Sequence, residues 1–222
     1  MTKQAEKAEK KKLEARKLKA ETEQQECETE QEKIRLARLR RETKKAKAFD
    51  PERHGVFNFC DQVSEGSCLI FADRLESWAR LNPGKPITIY LSTPGGSVLS
   101  GFGLYDTIRS LSKRGHHVTT VVRGYAASFG AVLLQAGDVR LIGPESRVMI
   151  HEVSTMAWGK MHEIKDQVGF TKELNQRIFD LLAERAGKED QNGADLYKWA
   201  KAKDRWLSAS ACLERGFADE IG

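Results

Sequence analysis

The sequence predicts an α/β domain with a mostly parallel sheet, preceded by a charged N-terminal arm. Three observations predict it. β-Branched runs alternate with amphipathic helical stretches in units of roughly 30 residues, the spacing of strands joined by crossover helices. Gly- and Pro-containing breaks separate the units. The charge is also divided: residues 1–48 carry 16 Lys and Arg against 10 Asp and Glu, while residues 49–222 carry 21 against 22. The basic excess therefore belongs to the arm, and the near-neutral body offers no electrostatic argument for nucleic-acid binding.

The arm, residues 1–48, places Leu13, Ala20, Cys27 and Ile34 seven positions apart, but the companion row Lys17, Gln24, Gln31 and Arg38 is polar. One narrow stripe is half of a coiled-coil seam, so a solvated helix or a disordered arm is expected. A partner helix, a nucleic-acid arm and a solubilising tail all suit it. Phe49-Asp50-Pro51 marks the boundary, because Pro51 cannot continue a helix and disfavours helical geometry at Asp50. The body, 49–222, is then one domain.

Along the body, Val56-Phe57-Asn58-Phe59 reads as a short strand. Ser64 opens a helix whose buried side holds Cys68, Phe71, Leu75, Trp78 and Ala79, stopped by Asn82-Pro83-Gly84. Ile87–Leu91 is a strand running into Ser92-Thr93-Pro94-Gly95-Gly96-Ser97. A helix follows to Arg114, with Val98, Tyr105, Ile108 and Leu111 facing inward. His117–Val122 reads as a buried strand ending at Gly124. Phe129, Val132, Leu133 and Ala136 then sit at helical spacing, with Gly137 as the expected C-cap. Short strands are expected at Val139–Ile142 and Val148–Ile150, split by Gly143-Pro144-Glu145. A long helix spans about Gly159 to Ala186 with Gly187 as its cap, and a shorter one covers Ala194–Lys201. Asp204-Arg205-Trp206-Leu207 leads to a final helix from Ser208 to Gly216.

The four cysteines form no CxxC pair and have no His at ligand spacing, which suits a reducing compartment and argues against structural zinc. The charged N-terminus lacks the apolar core of a signal peptide, and no run of about 18 apolar residues is present. A soluble, cytoplasmic protein is expected.

Four sets of groups suit chemistry. Ser128 falls on a strand-to-helix turn, beside small Ala126 and Ala127, where the positive end of the helix dipole favours developing negative charge. A plain N-cap serine fits the same position. His151 ends a strand, so the sheet delivers an imidazole to the carboxyl edge where α/β sites form; a hydrogen-bonded edge histidine fits too. Asp204, ahead of Trp206 and Leu207, suits a partly buried position or a surface one. Pro94-Gly95-Gly96-Ser97 follows a strand and can turn backbone amides toward a ligand, but it is no phosphate loop and has no Lys in the right place. Ser97, His116, His117 and His162 compete less well as catalytic groups.

Taken together, Ile-Tyr-Leu-Ser-Thr-Pro-Gly-Gly-Ser-Val (89–98), Gly-Phe-Gly-Leu-Tyr-Asp-Thr-Ile (101–108), Gly-Tyr-Ala-Ala-Ser (124–128), Val-Met-Ile-His (148–151) and Asp-Arg-Trp-Leu-Ser-Ala (204–209) resemble the Clp protease proteolytic subunit family of serine peptidases. The resemblance covers about Val56 to Ile221 and none of the arm. It implies a spiral of ββα units with a long projecting handle helix, here Gly159–Ala186. It implies Ser128 as nucleophile, His151 as general base and Asp204 as the group orienting the imidazole. An oxyanion hole from the backbone N–H groups of Gly96 and Phe129 follows, with Ser97 and Val98 pairing with substrate backbone. The chain order Ser…His…Asp and the Ala126 in place of a first Gly set it apart from α/β-hydrolases.

The resemblance further implies a homo-oligomer of seven-membered rings stacked in pairs and an unfolded-protein or peptide substrate. ATP would be used only by a separate AAA+ unfoldase, with no cofactor, metal or membrane for this chain and nucleic acid only through the arm. Besides the arm, which replaces the family's short N-terminal segment, the chain departs from the family at three places. Glu152-Val153 stands for the usual Gln-Pro, Phe129 for a usual Met, and Ala202-Lys203 for an acidic residue and an Arg that link the rings. A phage head-maturation protease on the same fold and a catalytically silent ring subunit are the alternative expectations.

Overall fold

The computed structural model describes residues 25, 29, 31–39, 50–187 and 192–222. They fall into two units, Met1–Asp50 and Pro51–Gly222. In the first, residues 31–39 are helical, and Ile34, from the heptad stripe, is 62% exposed. The other stripe positions, Leu13, Ala20 and Cys27, lie outside the described residues.

The second unit is built on a seven-stranded sheet. Its strands are β1 (Val56–Phe59), β2 (Ile87–Thr93), β3 (Val118–Ala127), β4 (Val139–Ile142), β5 (Arg147–Ile150), β6 (Arg205–Leu207) and β7 (Glu220–Ile221). Five run in the order β1-β2-β3-β4-β7, all parallel; β5 adds to β3 in parallel, and β6 pairs with β5 antiparallel. The helices are α1 (Glu65–Leu81), α2 (Val98–Lys113), α3 (Phe129–Leu134), α4 (Met161–Ala186), α5 (Gly193–Ala200) and α6 (Ala209–Glu214). The expected mixed α/β architecture is observed.

Local chemistry explains the helix limits. Ser64 caps α1 by accepting the Ser67 N–H while the Ser67 hydroxyl accepts the Ser64 N–H. Cys68, Phe71, Leu75 and Ala79 then bury one face, and the N-cap of α2 is Ser97. No residue of α4 before Ile178 is buried, whereas Ile178, Phe179, Leu181 and Leu182 are. Only the second half of this helix is therefore held by the core, and Gly187 ends it in the left-handed conformation.

Two glycines behave differently from expectation. Gly124 does not end its strand. β3 pairs Ile87↔Val118 through Leu91↔Val122, then resumes at Thr93↔Ala126, so Arg123-Gly124-Tyr125 oppose the single residue Ser92. This bulge, with Gly124 at φ +86°, bends β3 as its other edge passes from β4 to β5, and re-aims the end of the strand. Gly137 does not cap α3 either. Gln135 does so, and a Cβ at Gly137 would fall 2.4 Å from Thr120 Oγ1, so close approach to β3 demands the glycine. The sequence also gave no sign of β7: two residues are too short for a periodic pattern.

An ion pair between a buried arginine and an exposed aspartate ties the residue just before β7 to the sheet. Arg140, 6% exposed, is paired with Asp219 and donates to Gln135 Oε1 (2.6 Å), Gly216 O (2.8 Å) and Arg185 O (2.9 Å). Each of the three guanidinium nitrogens thus has at least one acceptor, which offsets the cost of burying the cation.

Candidate active site

Strand registers bring Ser128, His151 and Asp204 together. Parallel pairing of β3 with β5 ends at Ala127↔Met149, and the Ser128 N–H donates to Met149 O at 2.9 Å. Antiparallel pairing of β5 with β6 ends at Ile150↔Arg205, so the next rung sets His151 opposite Asp204. His151 Nε2 lies 2.9 Å from Ser128 Oγ, and His151 Nδ1 lies 3.3 Å from Asp204 Oδ1. The imidazole is 25% exposed and the Asp204 side chain 64% exposed, so Asp204 takes the surface alternative rather than the partly buried one.

Ser128 occupies the N-cap position of α3 but does not cap the helix with its side chain. A capping serine has an extended backbone, whereas Ser128 sits at φ 54°, ψ −122°, and its hydroxyl makes no capping bond. This conformation costs a non-glycine residue about 1–3 kcal/mol, and it turns Oγ away from the helix toward His151.

The loop Pro94–Gly96 faces this turn. Thr93, fully buried, anchors it by donating to Asp61 O (2.6 Å) and accepting the Gly95 N–H (3.1 Å). Val63 forms a parallel bridge with Gly96 through the carbonyl of Gly95 and the N–H of Ser97. In that geometry the N–H of Gly96 itself points to the opposite side. The N–H of Phe129 occupies the first turn of α3, where the helix supplies no acceptor. A Cβ on Gly95 would lie 2.7 Å from Ser128 Cβ, and one on Gly96 2.2 Å from Val63 O; both residues have positive φ. Glycine is required here because two backbones meet.

A cleft of about 340 Å³ opens over these groups. Beyond Ser128 and His151 its walls are mainly apolar, including Val132, Met149, Val153, Ile178 and Leu182. Val98 lines it as well, but Ser97 does not. The Ser97 N–H is held by Val63 O and its carbonyl by Gly101 N–H, and Val98 is already helical. The expected strand pairing at Ser97 is therefore not available: its backbone groups are committed to the loop bridge and to α2. Sequence reasoning missed Thr93 and Val63, which shape the loop; a buried Thr directly before Pro-Gly-Gly was the available signal.

Two buried cysteines are poor nucleophiles. Burial pushes the Cys212 thiol up to about 12 despite nearby Arg147, and burial also raises Cys68. Among the described residues no group of His, Cys, Asp or Glu is arranged to hold a metal ion, and no helix is long and apolar enough to cross a membrane.

Comparison with known sequences gives a consistent picture. The ATP-dependent Clp protease proteolytic subunit of Bacteroides thetaiotaomicron is 37% identical over 145 residues, covering 64% of this chain and 62% of that protein. The protein of the same name from Bacteroides fragilis is 37% identical over 145 residues, covering 64% of this chain and 66% of the relative. The matched region thus spans just under two thirds of each relative's length. A sequence model described as Clp protease matches residues 53–222. That stretch contains the whole sheet and all three clustered side chains, and the chain belongs to the Clp protease family.

Proposed function

We propose that this chain is a serine endopeptidase that hydrolyses peptide bonds of unfolded proteins. The observation that carries the reading is the Ser128 Oγ–His151 Nε2 approach of 2.9 Å, with Asp204 on the other ring nitrogen. A serine hydroxyl is a weak nucleophile, so it needs a base in reach and a third group that fixes the tautomer of that base. With the proton of the neutral imidazole on Nδ1 toward Asp204, Nε2 is free to accept the Ser128 proton.

Attack on a peptide carbonyl forms a tetrahedral oxyanion, which the N–H groups of Gly96 and Phe129 receive at about 3 kcal/mol each. His151 then passes its proton to the leaving amine, and the acyl group remains on Ser128 Oγ. Water, deprotonated by the same imidazole, releases it. These steps require no cofactor on this chain. The relatives' shared name, ATP-dependent Clp protease proteolytic subunit, supports ATP dependence and a place as one subunit of a larger protease; a separate unfoldase that consumes the ATP, and heptameric rings stacked in pairs around the sites, complete the proposal.

The test is labelling of the full chain with a fluorophosphonate probe alongside cleavage of casein and a short peptide. Label on Ser128, and its loss together with all cleavage in Ser128→Ala, is the expected result. A folded protein that takes no label and cuts neither substrate would instead be a silent assembly subunit.

A further inference from the structure

On the side of the sheet where α2 and α4 meet the turn before β4, guanidiniums outnumber the carboxylates available to them. Arg109 of α2 donates to Ala136 O (3.2 Å) and Asp138 Oδ1 (3.0 Å), and Arg185 of α4 donates to Gly137 O (2.6 Å). Two cations therefore grip three consecutive residues. Arg140 lies beneath them, its Nη1 on the carbonyl of Arg185, and Arg177 stands two turns earlier on α4.

The neighbouring acids are already committed. Asp138 takes the Ser112 hydroxyl, the Val118 N–H and Arg109; Asp219 takes Arg140; Glu184 takes Arg177. Arg185 is left without a carboxylate among the described residues, and its buried Nε has no hydrogen-bond partner. Burial, then the charges of Arg140 and Arg109, hold the Arg185 guanidinium below its ordinary pKa. Tyr105, one turn before Arg109 on α2, is within electrostatic reach of Arg109, Arg185 and Arg177, and its phenol has no hydrogen-bond partner among the described residues. Burial raises it, which keeps it a neutral donor.

We infer that Arg185, Arg109 and Tyr105 form a binding site for an oxyanion, a carboxylate or phosphate group, over the Ala136–Asp138 turn. Planar guanidiniums receive such a group through paired N–H donors, and a phenol adds a third. The anion supplies a directly contacting counter-charge at the one of these four arginines that no carboxylate touches among the described residues. The site is separate from the Ser128 cleft, since none of these residues lines that cleft.

Two sources of the group are distinguished by titrating the full chain with inorganic phosphate at fixed ionic strength and recording native masses with and without it. Wild type is expected to bind phosphate, with affinity about tenfold weaker in Arg185→Gln and about threefold weaker in Tyr105→Phe. Phosphate binding with an unchanged subunit number assigns the site to a free anion. A subunit number lowered both by phosphate and by Arg185→Gln assigns it to a carboxylate from a second copy. Should Arg185→Gln fail to fold, Tyr105→Phe, which keeps the packing and removes only the hydroxyl, carries the comparison. Equal phosphate affinity in wild type and the folded variants, or no phosphate binding and no change in subunit number, overturns the inference.

Discussion

Asp204 stands opposite His151 on the rung that follows Ile150↔Arg205, so the 3.3 Å between Oδ1 and Nδ1 is set by a strand ladder. The carboxylate keeps most of its surface in water, where its Coulomb attraction is strongly screened. Its contribution is therefore chiefly one of orientation. For Asp204→Asn, kcat on a short peptide is expected to fall by about 10³-fold at neutral pH with little change in KM. Steady-state kinetics check this; a loss under tenfold would remove Asp204 from the mechanism.

The strained backbone at Ser128 yields a stability prediction independent of activity. Ser128→Ala and Ser128→Gly both delete the hydroxyl, but only alanine keeps a Cβ at φ 54°. Ser128→Gly should be the more stable of the two by about 1–2 kcal/mol. Paired urea unfolding curves read the difference directly. Equal midpoints would mean that the turn is relaxed.

Gly96→Ala should abolish most activity. Its Cβ would meet Val63 O at 2.2 Å with φ at +146°, so the loop must move and its amide with it. A loss of at least about 10² in kcat is expected, the cost of displacing one oxyanion donor. Gly103→Ala is the control: nothing lies within 4 Å of its Cβ, and the α2 interior favours alanine by about 0.5–1 kcal/mol. Kinetics and thermal melts on both variants separate the two effects.

Acid should unfold the body through Asp138 and Asp219. Burial opposes ionisation of each and is the largest single influence, but the hydrogen bonds and charges of their partners outweigh it. For Asp138 these come from Ser112, the Val118 N–H and Arg109, and for Asp219 from Arg140 and then the charge of Arg185, so both carboxyls sit below the usual Asp value. The unfolded chain then binds protons first. This stabilisation is complete above the ordinary carboxylate range and is lost as pH falls through it toward the lower native values. Urea midpoints measured from about pH 6 down to pH 3 should drop less steeply for Asp138→Asn than for wild type. An identical slope would exclude Asp138 from the acid transition.

Much of the site was legible in the sequence because its parts lie at the ends of long, well-patterned elements. The alternation in β2, the Pro-Gly-Gly turn and the small residues before Ser128 all carry their structural meaning locally. The position of Asp204 did not: its exposure and its alignment with His151 depend on β6, a three-residue strand whose antiparallel partner lies more than 50 positions away. Gly124 misled because a glycine reads as a strand break unless its bulge partner is known. Gly137 misled because close approach to Thr120 leaves no local trace. The commitment of Ser97 likewise left no local trace, since Val63 takes its amide from a distant segment.

The Arg140–Asp219 pair joins residues 79 positions apart, and this bears on how the body is assembled during synthesis. A nascent chain that has released β4 but not yet Asp219 holds a cation whose counter-ion has still to be translated. Until it arrives, the outer rim of β4 is an open template for any passing strand. Such distant closures are slow, so the interval between emergence of β4 and of β7 is when this polypeptide is most exposed to mispairing with its neighbours on a polysome.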